Sequence, residues 1–94
     1  MKWIEIITLR STSDDLAALD IESLVAIKDD YQAGRLEKIK VYWHCTMDTD
    51  LNVHLHWNSD RADPAGSSVA LHLVQLLKEN GLVNHSIWVE EASK

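Results

Sequence analysis

Residues 39–58 read IKVYWHCTMDTDLNVHLHWN. Apolar and polar side chains alternate along both arms of this stretch, residues 39–46 and residues 51–58, and a period of two is typical of β-strands. The acidic segment between the arms, Met-Asp-Thr-Asp, is rich in turn-forming residues. The stretch therefore predicts a β-hairpin with one apolar face and one polar face.

The two alternating patterns also predict a register, because a slip of one residue would turn a whole strand over and mix the two faces. The simplest register pairs Cys45 with Val53, Trp43 with Leu55, Val41 with Trp57, His44 with His54 and Tyr42 with His56. On this reading Cys45 is a buried small hydrophobe, and the polar face gathers three histidines and a tyrosine within cross-strand contact distance.

Size, composition and charge limit the class of protein. A length of 94 residues with 46% hydrophobic side chains predicts a single domain, residues 1–94, that can bury a core. The formal net charge of −6 argues against nucleic acid or an anionic membrane as the main partner. No apolar run is long enough to span a bilayer and no signal-peptide pattern precedes the first strand, so we expect a cytoplasmic protein.

The residues before the hairpin predict a strand and then a helix. Residues 2–10 are rich in β-branched side chains on both faces, which is typical of a central strand that is covered on both sides. Ser13 predicts the N-cap of a helix of about twenty residues that ends at Gly34. Asp20 offers an alternative, in which it caps a second helix and divides this segment in two.

The residues after the hairpin predict a second helix and a last strand. Ser67 or Ser68 caps the helix, residues 80–81 end it, and residues 86–90 alternate as a short strand. The buried stripe of this helix is predicted to be Val69, Ala70, Leu73, Leu76 and Leu77. We expect His85, just before the last strand, to face solvent or to act as a cap.

The predicted order of elements, β-α-β-β-α-β, is typical of a ferredoxin-like α+β sandwich, with four antiparallel strands and two helices on one face of the sheet. Trp43 and Trp57 then belong to the core beneath the helices. The uncovered face is expected to carry Trp3, Glu5, Ile7, Leu9, Tyr42, His44, His54, His56 and Trp88. This mixture is too apolar for a solvated surface, so we expect a second subunit or a ligand to cover it.

The chain resembles the dimeric α+β barrel superfamily, in particular its small antibiotic-biosynthesis-monooxygenase-like proteins. The resemblance rests on the element order, the length and the stretch His56-Trp57-Asn58-Ser59, which is similar to the Trp-x-Ser segment at the end of the family's third strand. His72 resembles an inward histidine in the following helix of that family. The resemblance implies a homodimer packed sheet against sheet, a pocket between sheet and helices, and cofactor-independent oxidation of a small aromatic or quinone-like molecule.

The candidate catalytic residues are His54 and His56, which share one strand face with Cα atoms about 7 Å apart. One of these imidazoles is expected to act as a base, because histidine titrates near neutral pH. The expected ligand-binding residues are Glu5, Tyr42, His44, His72 and Trp88. We expect no cofactor and no resident metal.

Three other roles for the histidines remain open. The first is a ligand-binding or regulatory homodimer without catalysis, and the second is plain packing at an interface. The third is a metal site, because three imidazoles and a carboxylate, from His44, His54, His56 and Glu5, would suit zinc, iron or copper.

Overall fold

Four strands and one helix make up the part of the chain that the computed structural model describes, which comprises residues 1–11, 35–47 and 49–91. The elements are β1 (Lys2–Ser11), β2 (Leu36–Trp43), β3 (Asp50–Asn58), α1 (Ser68–Leu77) and β4 (Gly81–Val89). The strands form one antiparallel sheet in the order β2-β3-β1-β4. This topology confirms the predicted ferredoxin-like α+β class. The helix predicted between Ser13 and Gly34 lies outside the described residues.

Each face of the sheet carries rows of side chains that the pairing register aligns. The core face, which packs against α1, has the rows Leu36–Trp57–Trp3–Val89, Ile39–Leu55–Glu5–Ile87, Val41–Val53–Ile7–His85 and Trp43–Leu51–Leu9–Val83. The open face has the rows Lys38–His56–Ile4–Trp88, Lys40–His54–Ile6–Ser86 and Tyr42–Asn52–Thr8–Asn84. Because side chains alternate along every strand, no residue can contribute to both faces.

The face predicted for β1 is wrong. Trp3, Glu5, Ile7 and Leu9 are buried on the core face, while Ile4, Ile6 and Thr8 lie on the open face. Both faces of β1 are apolar enough for the core, so its own alternation cannot choose between them. Pairing with β3 makes the choice, because the buried row of β3 must lie beside a buried row of β1.

The predicted hairpin register is also wrong, although its faces are right. Trp43 pairs with Leu51 and Val41 pairs with Val53, so β2 ends at Trp43 and a longer connection follows. The imidazole Nδ1 of His44 accepts hydrogen bonds from the backbone N–H groups of Thr46 and Met47, both at 3.2 Å. These bonds turn the chain before the predicted loop, so Cys45 is exposed rather than buried.

The helix α1 begins where the sequence predicts. Ser67 is its N-cap, and the Ser67 Oγ atom accepts a hydrogen bond from the Ala70 N–H at 3.0 Å. The buried residues of the helix are Val69, Ala70, Leu73 and Leu77, and Leu76 is half-buried. None of the described helices is both long and apolar enough to cross a membrane.

The last strand, β4, begins at Gly81, five residues before the predicted start at Ser86. Gly81 pairs with Ser11, and a Cβ atom at Gly81 would collide with the carbonyl oxygen of Arg10. The glycine that was predicted to end the helix therefore also permits close pairing with β1. The longer strand brings His85 onto the core face, so the prediction that His85 faces solvent or acts as a cap is wrong.

Candidate functional site

A cavity of about 1020 Å³ lies on the core face, at the end of the sheet where β1 begins and β3 ends. We call it the tryptophan cavity. Its lining residues are Trp3, Arg35, Trp57, Asn58, Ser59, Asp60, Arg61, Ala62, Asp63, Pro64, Ser67 and Ser68. Its walls are therefore the core face, the connection between β3 and α1, and the N-terminus of α1.

Two stacked indole rings form the aromatic wall of the cavity. Trp3 and Trp57 are direct cross-strand partners, their ring centroids are 5.5 Å apart, and their planes differ by 17°. The Nε1–H group of Trp3 donates to Ser59 Oγ at 2.8 Å, and Ser59 Oγ donates to the carbonyl oxygen of Arg61 at 2.8 Å. These two bonds hold the start of the connecting segment against β1.

The indole nitrogen of Trp57 is buried, and it has no hydrogen-bond partner among the described residues. A buried donor without an acceptor costs about 1–3 kcal/mol. The side chain that carries this unused donor lines the cavity, although the nitrogen atom itself is not exposed to solvent.

Charged groups surround the rest of the cavity. Arg35 and Arg61 line it, and neither side chain forms an ion pair with a described carboxylate. Asp60 and Asp63 also line it, and the Oδ1 atom of Asp63 accepts a hydrogen bond from the Ala65 N–H at 3.0 Å. The two guanidinium groups are available to a planar anionic group, which arginine binds through paired N–H donors.

A buried acidic residue stands beside this cavity. Glu5 is 0% exposed, and its Oε2 atom contacts the His85 Nε2 atom at 2.8 Å and accepts a hydrogen bond from the Ser67 N–H at 3.1 Å. The other oxygen, Oε1, is buried without a partner among the described residues. The sequence reading missed His85, but continuing the alternation of Ile87 and Val89 backwards by two residues would have placed it on the apolar face.

The open face carries four of the predicted site residues, of which three are close together. The rings of Tyr42 and His54 are 4.7 Å apart, and those of His54 and His56 are 6.4 Å apart. Trp88 lies at the opposite edge of the sheet, beside Ile4. Its Nε1–H group donates to Ser86 Oγ at 2.9 Å.

Burial lowers the pKa of His54, and the nearby Lys40 ammonium lowers it further. For His56, burial again lowers the pKa first, and Lys38, Lys40 and His54 add to the effect against a small opposing contribution from Glu37. Lys40 and Lys38 lie on β2, where they are the direct cross-strand partners of His54 and His56 respectively. Positive neighbours disfavour both the imidazolium form and a bound cation.

Three other predicted site residues do not join this group. Glu5 lies on the opposite face of the sheet, His44 lies in the turn after β2, and His72 is exposed on α1. Within residues 1–11, 35–47 and 49–91, no three metal-ligating side chains come together. The sequence did not identify Arg35, Arg61 or Ser67 as cavity residues. The stretch His56-Trp57-Asn58-Ser59, singled out in the sequence, supplies three of the lining residues.

No protein-family model matches the chain, and no curated protein matches its sequence. Solved structures do match its fold. SnoaB, a cofactor-independent oxygenase from Streptomyces nogalater solved in a mutant form, superposes with a TM-score of 0.63 at 12% identity, over 98% of this chain and 95% of that one.

Two further structures match along nearly their whole length. Rv0793 from Mycobacterium tuberculosis has a TM-score of 0.62 at 18% identity, over 99% of this chain and 100% of that one. A provisionally assigned monooxygenase from Shewanella loihica PV-4 has a TM-score of 0.54 at 19% identity, over 99% of both chains. At these identities the likeness shows the fold alone: the chain has a ferredoxin-like α+β fold, as these three structures do.

Proposed function

We propose that the tryptophan cavity binds a flat aromatic molecule of the phenolic or quinone-like class. The observation that carries this proposal is the stacked pair of Trp3 and Trp57, in which the buried N–H group of Trp57 has no partner among the described residues. A planar ring can pack on an indole face, and a ring oxygen can accept a hydrogen bond from the indole N–H group.

Charge and size support the same class of ligand. Arg35 and Arg61 would stabilise a phenolate or enolate oxygen, because a guanidinium group is a positively charged hydrogen-bond donor. The cavity volume, about 1020 Å³, is near the upper end of the range of about 300–1,000 Å³ that is usual for small-molecule sites. It therefore has room for a molecule of two or three fused rings.

The proposed reaction is oxygenation of this ligand without a cofactor. SnoaB, which has a similar fold, is a cofactor-independent oxygenase. In such a reaction an electron-rich aromatic anion reduces O₂, one oxygen atom enters a ring CH₂ group to form C=O, and the other leaves as water. In this chain, the two tryptophans would orient the ring and the two arginines would stabilise its anion. His54 and His56 lie across the sheet from the cavity, so the proposal gives them no part in the proton transfer.

Ligand binding is tested by quenching of tryptophan fluorescence with 2-hydroxy-1,4-naphthoquinone, which is a planar anion at neutral pH. Trp57→Phe should weaken binding, because it removes the N–H donor and keeps an aromatic ring. Trp88→Phe is the matched control on the open face, and its affinity should equal that of the parent. Equal affinity in all three proteins would contradict a site at the tryptophan cavity.

Catalysis is tested separately by oxygen uptake with anthrone, whose ring CH₂ group would become C=O, corrected for uncatalysed autoxidation. Turnover in the parent and a lower rate in Trp57→Phe are expected. Binding of the naphthoquinone without any oxygen uptake across a panel of such reduced compounds would favour the alternative, a binding or regulatory protein without catalysis.

We also propose that the open face forms a homodimer. This face exposes Trp88 at 58%, beside the half-buried Ile4 of β1, and Leu82 at 74% near the other end of β4. A second copy of the chain would cover them, as an exposed apolar patch of this kind often requires. Sedimentation at micromolar concentration tests the proposal, and a single species of 10.7 kDa would contradict it.

A further inference from the structure

We infer that Glu5 and His85 are a positioning pair that holds one wall of the tryptophan cavity, and that this wall sets which aromatic ligands fit. The inference deepens the proposed function, on which its ligand-binding part rests. The contact between Glu5 and His85 is a polar contact in the middle of an apolar face. Glu5 lies in the row between Leu55 and Ile87, and it is completely buried.

Stability alone does not explain this contact. Removing a carboxylate from water is costly, and a buried ion pair is often no more stable than well-packed apolar side chains of the same volume. Here the contact leaves one carboxylate oxygen, Glu5 Oε1, unpartnered among the described residues. A leucine at this position would complete the apolar row, so the carboxylate must do something that leucine cannot.

The carboxylate of Glu5 contacts the cavity wall, and a leucine side chain could not make this contact. Glu5 Oε2 accepts a hydrogen bond from the N–H group of Ser67, which both caps α1 and lines the cavity. The N-terminus of α1 also presents the positive end of the helix dipole to the carboxylate. Glu5 therefore fixes the position of the cap residue, and through it the start of the helix.

The residue before the cap packs on the same pair. Gly66 has φ +92°, and a Cβ atom built on it would lie 2.5 Å from His85 Cε1 and 3.3 Å from Glu5 Oε2. Backbone atoms of Gly66 thus sit directly against the imidazole and the carboxylate. His85 holds Glu5 by its Nε2 contact at 2.8 Å, so the pair forms a rigid support beneath residues 66–67.

The other end of the wall is held by the same strand. Ser59 Oγ accepts the indole N–H of Trp3, and Trp3 and Glu5 are adjacent on the core face of β1. The connecting segment 59–67 is therefore attached to β1 at both ends, by an indole at one and by a carboxylate at the other. Releasing the Glu5 end would let this wall move away from the two tryptophans and enlarge the cavity.

Hydrogen–deuterium exchange tests the pair without any ligand. In Glu5→Leu, the amides of residues 66–70 should exchange about tenfold faster, equivalent to about 1.4 kcal/mol of local opening free energy. The urea midpoint should fall only modestly, because leucine fills the apolar row while the Ser67 N–H group and the His85 imidazole lose their shared partner. Glu5→Gln keeps a carbonyl acceptor and should retain most of the protection, and His72→Leu on the exposed side of α1 should match the parent.

Two results would overturn the inference. One is unchanged exchange of residues 66–70 in Glu5→Leu, and the other is faster exchange spread over the whole sheet, which would show general destabilisation. If Glu5→Leu fails to fold, the exchange of residues 66–70 is measured instead in His85→Leu and His85→Gln. Only the glutamine variant keeps a side-chain N–H donor for Glu5, so only His85→Leu should lose protection at residues 66–70.

The selectivity between a larger and a smaller aromatic ligand is the second measurement that tests the inference. The ratio of Kd values for anthraquinone-2-sulfonate and 2-hydroxy-1,4-naphthoquinone should fall severalfold in Glu5→Leu, because the released wall admits the larger ring system. Glu5→Gln should keep the ratio of the parent. If the parent binds neither compound, the proposed function fails, and the exchange experiment still decides whether Glu5 and His85 position the wall.

Discussion

The two faces of the sheet carry similar residue types and use them differently. On the core face, Glu5 and His85 contact each other, and the carboxylate also accepts a hydrogen bond from the start of α1. On the open face, His54 and His56 lie beside lysines and contact other rings. The comparison shows that residue types alone do not say which face of the sheet will hold a buried polar contact.

The largest expected difference between the faces concerns their tryptophans. Trp57→Ala should lower the free energy of unfolding by about 3–5 kcal/mol, because it empties a buried position that is stacked on Trp3. Trp88→Ala should change it by only about 0.5 kcal/mol in dilute protein, since this side chain is mostly exposed. Urea unfolding of both variants measures the difference, and similar losses would contradict the assignment of the two faces.

An intermediate effect on stability is expected at Gly66, which packs against the Glu5–His85 pair of the core face. Gly66→Ala should cost about 1–3 kcal/mol, because φ +92° is unfavourable for alanine and the new Cβ atom would meet the His85 ring. A double-mutant cycle with His85→Ala separates these causes. If the ring contact matters, the second change should recover part of the loss, and strictly additive losses would leave backbone strain as the whole cause.

The smallest expected effect is the pH dependence of the free energy of unfolding that His54 and His56 on the open face produce. Because the folded protein lowers the pKa of His54 and His56 below the ordinary value of about 6.5, the unfolded chain takes up protons first as the pH falls. The free energy of unfolding should therefore be highest above this pH and should decrease as the pH falls below it. Lys38 and Lys40 strengthen the effect, whereas Glu37 opposes it for His56.

Urea unfolding at pH 7.5, 6.5 and 5.5 measures this dependence. The double variant His54→Gln/His56→Gln should lose much of it and keep the fold, because glutamine is polar but does not titrate. His72→Gln, on the exposed side of α1, is the control and should behave as the parent does. An identical pH profile in the double variant would show that these two residues do not cause the dependence. Glu5 cannot offset the positive charge of these histidines, because it lies on the other face of the sheet.

The sequence predicted local structure well, because local structure depends on short-range patterns. Alternation identified β2 and β3, the capping serine located the start of α1, and the apolar spacing of α1 identified its buried residues. The order of elements was enough to predict the ferredoxin-like topology. These signals depend on the backbone geometry of one segment at a time, so they can be read without the tertiary structure.

Register was the first property that only the tertiary structure decided. Alternation excludes a slip by one residue but permits a slip by an even number, since the faces are then preserved, and the observed partners on β3 differ from the predicted ones by four residues. The side chain of His44 ends β2 early through bonds to the following turn, and no spacing rule in the hairpin contains that information. The predicted contact of His44 with His54 is absent for this reason, whereas His54 and His56 remain neighbours.

The site was the second such property. Whether Glu5 faces the core depends on which row of β3 lies beside β1, and this pairing joins residues about fifty positions apart in the chain. The contact of Glu5 with His85 joins residues 80 positions apart. Residue types and spacing determined the strands, the helix cap and the class of fold. The tryptophan cavity and its polar support exist only because long-range strand pairing brings Trp3, Glu5, Trp57 and His85 onto one face beside the start of α1.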